Sequence, residues 1–265
     1  MMGRTLNLNH SRAKILALLL VYFSLPVAAQ QAGIEIILSA EPVNAFIDRP
    51  GDLYIQLKND QIIKYSKEGK LIGEFKPKES PTIFEPRDGS RTFTHYRARN
   101  LAGFTGFGSE PKTPINEEFA IEPWLACSAG DQGMWILDKA DYSLRRINLA
   151  SLKTEAEFTL PAGLHGNVEL LREYQGFLFL LINSQIHIFS GFGKQLKTIP
   201  GEEIRWFNFI GEELYYADKG RLNFYDLFDG TQRKEYTDST ALFILLTDEV
   251  RYAVYPGKMV ISRIN

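Results

Sequence analysis

The chain has 265 residues, of which 45% are hydrophobic and 23% charged, a balance that excludes an intrinsically disordered protein. Its formal net charge of −2 gives no long-range attraction to a phosphate backbone, so we expect no nucleic-acid partner. Aromatic residues make up 12% of the chain, which favours β-sheet because aromatic side chains pack well on pleated surfaces.

The first 29 residues have the features of a secretory signal peptide. Arg4, Arg12 and Lys14 form a positively charged start, an apolar stretch follows over residues 15–23, and a small-residue cleavage pattern ends at Ala29. The apolar stretch is shorter than the roughly 20 residues that span a bilayer. We therefore expect a mature protein in the periplasm or on the periplasmic face of the outer membrane. An uncleaved N-terminal anchor is the alternative.

The composition of the expected mature chain limits how it can be anchored and stabilised. It keeps 27 basic and 32 acidic residues, a net charge of −5, and no later segment is apolar enough to cross a membrane. Its single cysteine, Cys127, lies far from the cleavage site, so the protein is not expected to be a lipoprotein. One cysteine forms no internal disulfide, and we expect Cys127 to be a small buried hydrophobic residue.

A unit of roughly 35–45 residues recurs along the rest of the chain. Its clearest copy contains three strand-like segments, GDLYIQL at 51–57, QIIKY at 61–65 and GKLIGEF at 69–75, each with alternating or continuous apolar residues. Further copies begin at 133, 176, 211 and 248, and each is preceded by a short apolar strand. Four short strands per unit at this period predict a β-propeller blade.

The number of blades depends on the segment 81–123. The 82 residues between the first two copies are about twice the repeat, which predicts a degenerate blade there and six blades in all. The last copy has three strands, and residues 33–38 form a strand with no blade of its own. We therefore predict an all-β, six-bladed β-propeller over residues 30–265, in which the N-terminal strand closes the last blade. A five-bladed ring with 81–123 as an insertion is the alternative.

The first copy also resembles a known family. Its segment GDLYI at 51–55, followed by QIIKYSKEGKLI at 61–72, is similar to the repeat of NHL and TolB-like six-bladed propellers. More loosely, the mature chain resembles exported propellers of unknown role in Bacteroidota-type envelopes. The resemblance implies the propeller fold and an envelope location, and it speaks only weakly to function.

The irregular segment after residue 96 contains two candidate partner-binding residues. Phe104 and Phe107 lie in LAGFTGFG at 101–108, where large apolar side chains alternate with glycine. If exposed, they would be natural anchors for a partner protein, because aromatic residues dominate interface hot spots. The alternative is that both pack within an irregular blade.

Four more residues are candidates for partner binding. Arg91, Arg97 and Arg99 differ by even numbers, so on one continuous strand they share a face that could recognise an acidic partner or lipid headgroups. A solvated, charged outer strand is the alternative. His165 lies between Leu164 and Gly166 in a loop, where we expect it to be exposed and mobile.

No catalytic or metal-binding pattern is present in the sequence. It has no zinc-ligand spacing, phosphate-binding loop or nucleophile elbow, so we predict a non-catalytic protein without metal or cofactor. The predicted function is an envelope scaffold for protein–protein interaction, with an accessory subunit of an outer-membrane assembly or transport complex as one form.

The alternative function is a calcium-dependent lactonase-like hydrolase or a propeller that binds a small molecule such as a sugar. Some six-bladed propellers are hydrolases of this kind and place one Glu, two Asn and one Asp at the central mouth. In this chain Glu41, Asn167 and Asn208 would be the counterparts, although their local sequence patterns do not match. The oligomeric state is left open.

Overall fold

The computed structural model describes residues 33–88, 90–130 and 132–264. The predicted signal peptide lies outside the described residues. In the described part of the chain the structure is β-sheet with two short 3-10 turns, at Arg97–Arg99 and Ala162–Leu164. No helix among these residues is long and apolar enough to span a bilayer.

Twenty-three strands form six separate antiparallel sheets among the described residues, and each sheet is one blade. Blade 1 contains β2 (Pro42–Ile47), β3 (Leu53–Leu57), β4 (Ile62–Tyr65) and β5 (Leu71–Phe75). Blade 2 contains β6 (Ile83–Asp88), β7 (Arg91–Tyr96) and β8 (Leu101–Thr105). Blade 3 contains β9 (Pro123–Ala129), β10 (Gly133–Asp138), β11 (Ser143–Asn148) and β12 (Lys153–Thr159). Blade 4 contains β13 (Val168–Tyr174), β14 (Phe177–Ile182), β15 (Gln185–Ser190) and β16 (Gln195–Ile199). Blade 5 contains β17 (Phe207–Ile210), β18 (Glu213–Asp218), β19 (Arg221–Asp226) and β20 (Gln232–Tyr236). Blade 6 contains β21 (Phe243–Leu246), β22 (Val250–Val254), β23 (Lys258–Arg263) and, from the other end of the chain, β1 (Ile34–Ile37). The predicted six-bladed propeller is confirmed.

The N-terminal strand closes the ring as predicted. β1 pairs antiparallel with β23, with Ile34 opposite Ile261 and Ile37 opposite Lys258. The Leu38 N–H donates to the Gly257 carbonyl at 3.0 Å, and the Lys258 ammonium lies 2.7 Å from the Glu35 carboxylate. Because this pairing covers the edge of β23, the last blade acquires a fourth strand from the start of the chain.

Blade 2 has three regular strands, and its outer edge is covered by an extended segment. The Ala102 N–H donates to the Thr113 carbonyl at 3.1 Å, and the Ile115 N–H donates to the Asn100 carbonyl at 2.7 Å. Pro114 forms an isolated bridge with Leu101. Proline at 111 and 114 has no N–H for a sheet ladder, so this segment pairs over only a few residues. The chain from 81 to 123 is therefore a degenerate blade and not an insertion.

The core lies between neighbouring blades, and polar side chains connect the blades there. Buried tyrosines of the second strands reach across: the Tyr215 hydroxyl accepts the Leu246 N–H at 3.0 Å, and the Tyr252 hydroxyl donates to the Gly51 carbonyl. Trp206 donates its indole N–H to the Leu242 carbonyl at 2.9 Å. Cys127 is fully buried in this core, as predicted from the sequence.

Candidate functional site

The ring encloses an axial cavity of about 580 Å³ at one face of the propeller. Its wall consists of the ends of the first strands of blades 1, 2, 4, 5 and 6 and the turns that follow them. The first strand of each of these five blades is therefore the innermost one. A volume of this size is typical of sites for small ligands.

Three polar side chains lie at the inner end of the cavity. Glu85, Arg172 and Asn208 line both this cavity and a smaller chamber of about 50 Å³. The smaller chamber has mainly apolar walls, which include Leu170, Trp206, Phe207, Phe243 and Leu245. The polar layer therefore separates a polar mouth from an apolar interior along the axis of the ring.

Arg172 connects the members of this polar layer. Its Nη1 donates to the Asn208 side-chain oxygen at 2.9 Å and, at 3.4 Å, to the Phe207 carbonyl. Its Nε lies 3.7 Å from the Glu85 carboxylate, which is an ion pair, and this Nε is buried without a hydrogen-bond acceptor among the described residues. The guanidinium therefore keeps unused donor capacity.

Burial dominates the protonation of Glu85. Loss of solvent raises the pKa of this carboxyl, and the positive charge of Arg172 and the hydrogen bonds from Ser128 oppose that rise without cancelling it. The Ser128 N–H donates to Glu85 Oε2 at 2.9 Å, which joins blade 3 to blade 2. Glu85 therefore has a structural role: one carboxylate oxygen accepts a backbone N–H of blade 3, and the other faces Arg172.

An aromatic wall lies beside the polar layer. The rings of Tyr174 and Phe209 are stacked, with centroids 4.2 Å apart and an interplanar angle of 3°. The Tyr174 hydroxyl donates to the Gly211 carbonyl at 2.6 Å, which fixes the ring. The Arg172 guanidinium lies 5.1 Å from the Phe209 ring centroid. The cavity therefore offers one flat apolar surface next to a cation.

The residues considered for a calcium-dependent hydrolase are not brought together at the cavity. Glu41 precedes β2 and pairs with Lys58 at 3.1 Å, whereas the cavity lies where β2 ends. Asn167 is exposed before β13 and does not line the cavity, and Asn208 faces the cation Arg172. Among the described residues no group of three or more His, Cys, Asp or Glu side chains is placed to hold a metal ion.

Phe104 and Phe107 are half-buried and pack within the propeller. Phe104 lies edge-on to Phe93 with centroids 5.3 Å apart, on the side of blade 2 that contacts blade 3. Phe107 packs against Tyr54 at 5.5 Å and Phe75 at 6.3 Å, between blades 1 and 2. Both side chains thus pack within the propeller, which is the alternative given in the sequence analysis. Their role in partner binding stays a prediction.

The three arginines do not form a stripe on one strand. β7 begins at Arg91 and ends at Tyr96, and Arg97 and Arg99 lie in the following 3-10 turn, so the strand alternation that placed them on one face is wrong. The backbone turns there because Asn100 has a left-handed conformation with φ of 49°. Arg91 lies over the Phe104 ring and Arg97 over the Trp124 ring, whereas Arg99 pairs with two carboxylates, of Glu79 and Glu110.

His165 is exposed, as expected, and its ring contacts two neighbours. Nε2 lies 2.8 Å from the Leu160 carbonyl oxygen, and the imidazole stacks on Tyr142 with centroids 4.2 Å apart. The ring thus has two contacts in the structure, and the expected mobility of this side chain stays a prediction. The six residues predicted to bind a partner lie outside the axial cavity, and their role in binding is a matter for experiment.

Sequence reasoning missed two exposed aromatic side chains. Phe192 is 93% exposed and Phe228 is 63% exposed, and they lie in the turns between the third and fourth strands of blades 4 and 5. Strands alternate in direction, so these turns lie at the same end of the blades as the turns after the innermost strands, where the cavity opens. We call this end the cavity face. The glycines on both sides of Phe192 were the sequence signal for an aromatic side chain in a turn.

Both turns are held in shape by a side chain at their start. Ser190 Oγ accepts the Phe192 N–H at 3.4 Å and the Lys194 N–H at 3.2 Å. Asp226 Oδ1 accepts the Phe228 N–H at 2.8 Å and the Asp229 N–H at 2.9 Å. These side-chain-to-backbone bonds define the turn conformation. The two phenylalanines are therefore presented outward on ordered turns.

Comparisons with known proteins identify the fold. No family model matches the chain, and no curated protein matches it by sequence. A catalytically inactive histidine-to-alanine variant of virginiamycin B lyase from Staphylococcus aureus, with quinupristin, aligns at a TM-score of 0.57 with 14% identity, over 88% of this chain and 99% of that chain. The Neurospora crassa Pan2 WD40 domain aligns at 0.56 with 9% identity, over 85% and 90% of the two chains.

A streptogramin B lyase structure aligns at a TM-score of 0.52 with 13% identity, over 89% of this chain and 99% of that chain. The similar structures thus include both lyases and WD40 domains, so the likeness does not separate an enzyme from an interaction module. At these identities it shows the fold alone. The chain has the β-propeller fold, in a six-bladed ring closed by its own N-terminal strand.

Proposed function

We propose that this protein is a non-catalytic interaction scaffold of the cell envelope, exported by its signal peptide, that binds a partner protein through the cavity face. The observation that carries the proposal is the pair Phe192 and Phe228, which project from ordered turns of adjacent blades on that face. When exposed aromatic side chains are carried by ordered turns, little backbone ordering is needed on binding.

The character of the cavity lining supports a binding role over a catalytic one. Glu85, a buried acid of the lining, accepts a backbone N–H and lies beside a cation. Its neighbour Glu173 accepts the N–H groups of Gly130 and Gly176. A general base must present its carboxylate to a substrate, whereas each of these carboxylates bonds to backbone N–H groups and so has a structural role. An accessory role in an outer-membrane assembly or transport complex is one form of this function.

Site-specific photo-crosslinking in intact cells tests this proposal. A photoreactive phenylalanine at position 192 or 228 is expected to capture one discrete partner protein, and the same residue at position 236 is not. Tyr236 is a matched control because it is 86% exposed but lies on the outermost strand β20. A partner captured from position 97 or 165, and not from 192 or 228, would move the binding surface to the residues predicted from the sequence.

Export is tested separately by the N-terminal sequence and the location of the mature protein. Cleavage after Ala29 and release with the periplasmic fraction are the expected results. A protein that keeps its first 29 residues and stays with the membrane would support the uncleaved anchor. A protein found only in the cytoplasm would contradict the envelope function.

A further inference from the structure

The hydrogen-bonding capacity left unused in the axial cavity is mainly donor capacity. The lining contains three arginines and four acids, so net charge does not decide which ligand fits. Asp48 accepts the Asp52 N–H at 2.8 Å and the Tyr54 hydroxyl at 2.9 Å and lies 3.7 Å from the Lys64 ammonium. With Glu85 and Glu173 also engaged, Asp248 at the exposed rim is the lining acid without a bonded partner among the described residues.

The arginines of the lining are, by contrast, poorly paired. Arg49 is exposed and its side chain has no hydrogen bond or ion pair in the described part of the chain. Arg87 donates one hydrogen bond, from Nη1 to the Ser128 hydroxyl at 3.3 Å. The backbones of the two residues are joined, because the Arg49 N–H donates to the Arg87 carbonyl at 3.3 Å. Two arginines whose guanidinium groups have free N–H donors therefore lie side by side at adjacent strand ends.

The geometry points to a binding site for a small organic anion: we propose that its carboxylate or phosphate accepts hydrogen bonds from Arg49, Arg87 and Arg172, while its apolar body lies against the stacked Tyr174 and Phe209 rings. The planar fork of a guanidinium matches the two oxygens of a carboxylate or phosphate. The aromatic pair next to Arg172 supplies the apolar wall. This site is distinct from the exposed phenylalanines and extends the function proposed above.

Calorimetric titration of the purified protein with benzoate and phenyl phosphate tests this site. At least one of the two anions is expected to bind about tenfold or more tightly than neutral benzamide, the margin expected for a charge-assisted pair. Binding of benzoate alone indicates a carboxylate ligand, and binding of phenyl phosphate alone indicates a phosphate. Acetate, which has no ring, is expected to bind about tenfold more weakly than benzoate, because it lacks the contact with the aromatic wall.

Substitutions of the rim arginines provide the matched variants. Arg49→Gln and Arg87→Gln are each expected to weaken anion binding about tenfold and to leave the thermal unfolding midpoint within about 2 °C, because neither side chain forms an ion pair. Arg205→Gln, at an exposed arginine that precedes β17 and does not line the cavity, is expected to bind like the unchanged protein.

Several outcomes would overturn the inference. They are the absence of binding by both anions at 10 mM, equal binding of benzamide, tighter binding of the cation benzylamine, and unchanged affinity in both rim variants. Equal binding of acetate and benzoate would overturn the part of the proposal that assigns the aromatic wall to the ligand. None of these results bears on partner capture at positions 192 and 228, so the two proposals can fail separately.

Discussion

Blade 2 contains several buried polar residues that lack a hydrogen-bond partner among the described residues. The side chains of Thr92, Thr94, His95 and Tyr96 are buried in β7, and their polar atoms have no hydrogen-bond partner among the described residues. Burial, and secondarily the charge of Arg97, lowers the pKa of His95 to about 4. His95 is therefore neutral in the folded protein at pH values where an exposed histidine is charged.

Acid should destabilise the fold through His95. Its pKa in the folded protein is below the usual 6.5, so the unfolded chain takes up a proton first, and the stabilising effect of a neutral His95 is lost as pH falls through 6.5 towards 4. Between pH 7 and pH 5 this group alone should cost about 2 kcal/mol of unfolding free energy. Urea unfolding at pH 7 and pH 5 measures this. Between these pH values the unfolding free energy of His95→Leu should fall by about 2 kcal/mol less than that of the unchanged protein. Equal pH dependence of the variant and the unchanged protein would contradict this role.

Asp138 is a buried acid whose partners are complete. Its carboxylate accepts the N–H groups of Ile121, Glu122 and Ala140 and pairs with Arg145 at 2.8 Å. Burial opposes ionisation, but these bonds outweigh it and hold the pKa of Asp138 below its usual value. The carboxylate thus joins the segment before β9 to the turn after β10.

Substitution of Asp138 should be far more costly than substitution of a neighbouring acid. Asp138→Asn places an amide donor against N–H groups and leaves Arg145 without its buried partner, so we expect a loss of about 3 kcal/mol of unfolding free energy. Asp141→Asn is the matched control, because Asp141 also pairs with Arg145 but is half exposed, and it should cost less than about 1 kcal/mol. Urea denaturation measures both values, and similar losses would show that Asp138 has no special role.

At the scale of elements, closure of the ring depends on one short strand. β1 presents Ile36 to the core cluster that blades 6 and 1 share, whereas Ile37 is 71% exposed. Gly69 in the turn between β4 and β5 approaches Ile36, and a Cβ there would lie 2.9 Å from Ile36 Cδ1. The strand therefore fastens blade 6 both by its hydrogen bonds to β23 and by this contact with blade 1.

Substitutions on opposite faces of β1 should separate packing from pairing. Ile36→Ala should lower the unfolding free energy by about 2 kcal/mol, because it empties part of the core between blades 6 and 1. Ile37→Ala changes only an exposed side chain and should stay within about 0.5 kcal/mol of the unchanged protein. Chemical denaturation followed by tryptophan fluorescence compares the two. A similar effect of both would show that β1 contributes through its backbone alone.

At the scale of the whole molecule, stability is distributed around the ring through contacts between neighbouring blades. Side chains of blade 5 bond to blade 6, and those of blade 6 bond to blade 1, through Tyr215 and Tyr252. Lys67 and Glu249 form a further ion pair between blades 1 and 6 at 2.8 Å, on the surface. The seam at which the chain ends meet thus has connections comparable to the seams within the chain. A closed ring of this kind gives the cavity face a fixed frame.

The sequence by itself determined the fold, because each blade repeats a local pattern of apolar alternation and turn residues. The strand at 33–38 and the unpaired edge of the last unit predicted the closure, and the burial of Cys127 followed from its apolar neighbours. Only the tertiary structure decided which side chains meet at the axis. Glu85, Arg172 and Asn208 are separated by tens of residues in the chain and come together because the ring brings first strands side by side.

The exposure of aromatic residues was likewise a tertiary property. Phe107 follows a strand in a glycine-rich segment, as Phe192 does, yet Phe107 is covered by Tyr54 and Phe75 of the neighbouring blade. Phe192 lies in a turn between two strands and is 93% exposed in the described part of the chain. Local sequence specifies a turn or a strand through backbone chemistry, but burial depends on which distant residues pack against a side chain. For this reason the blades could be predicted from the sequence, whereas the cavity and the exposed phenylalanines could not.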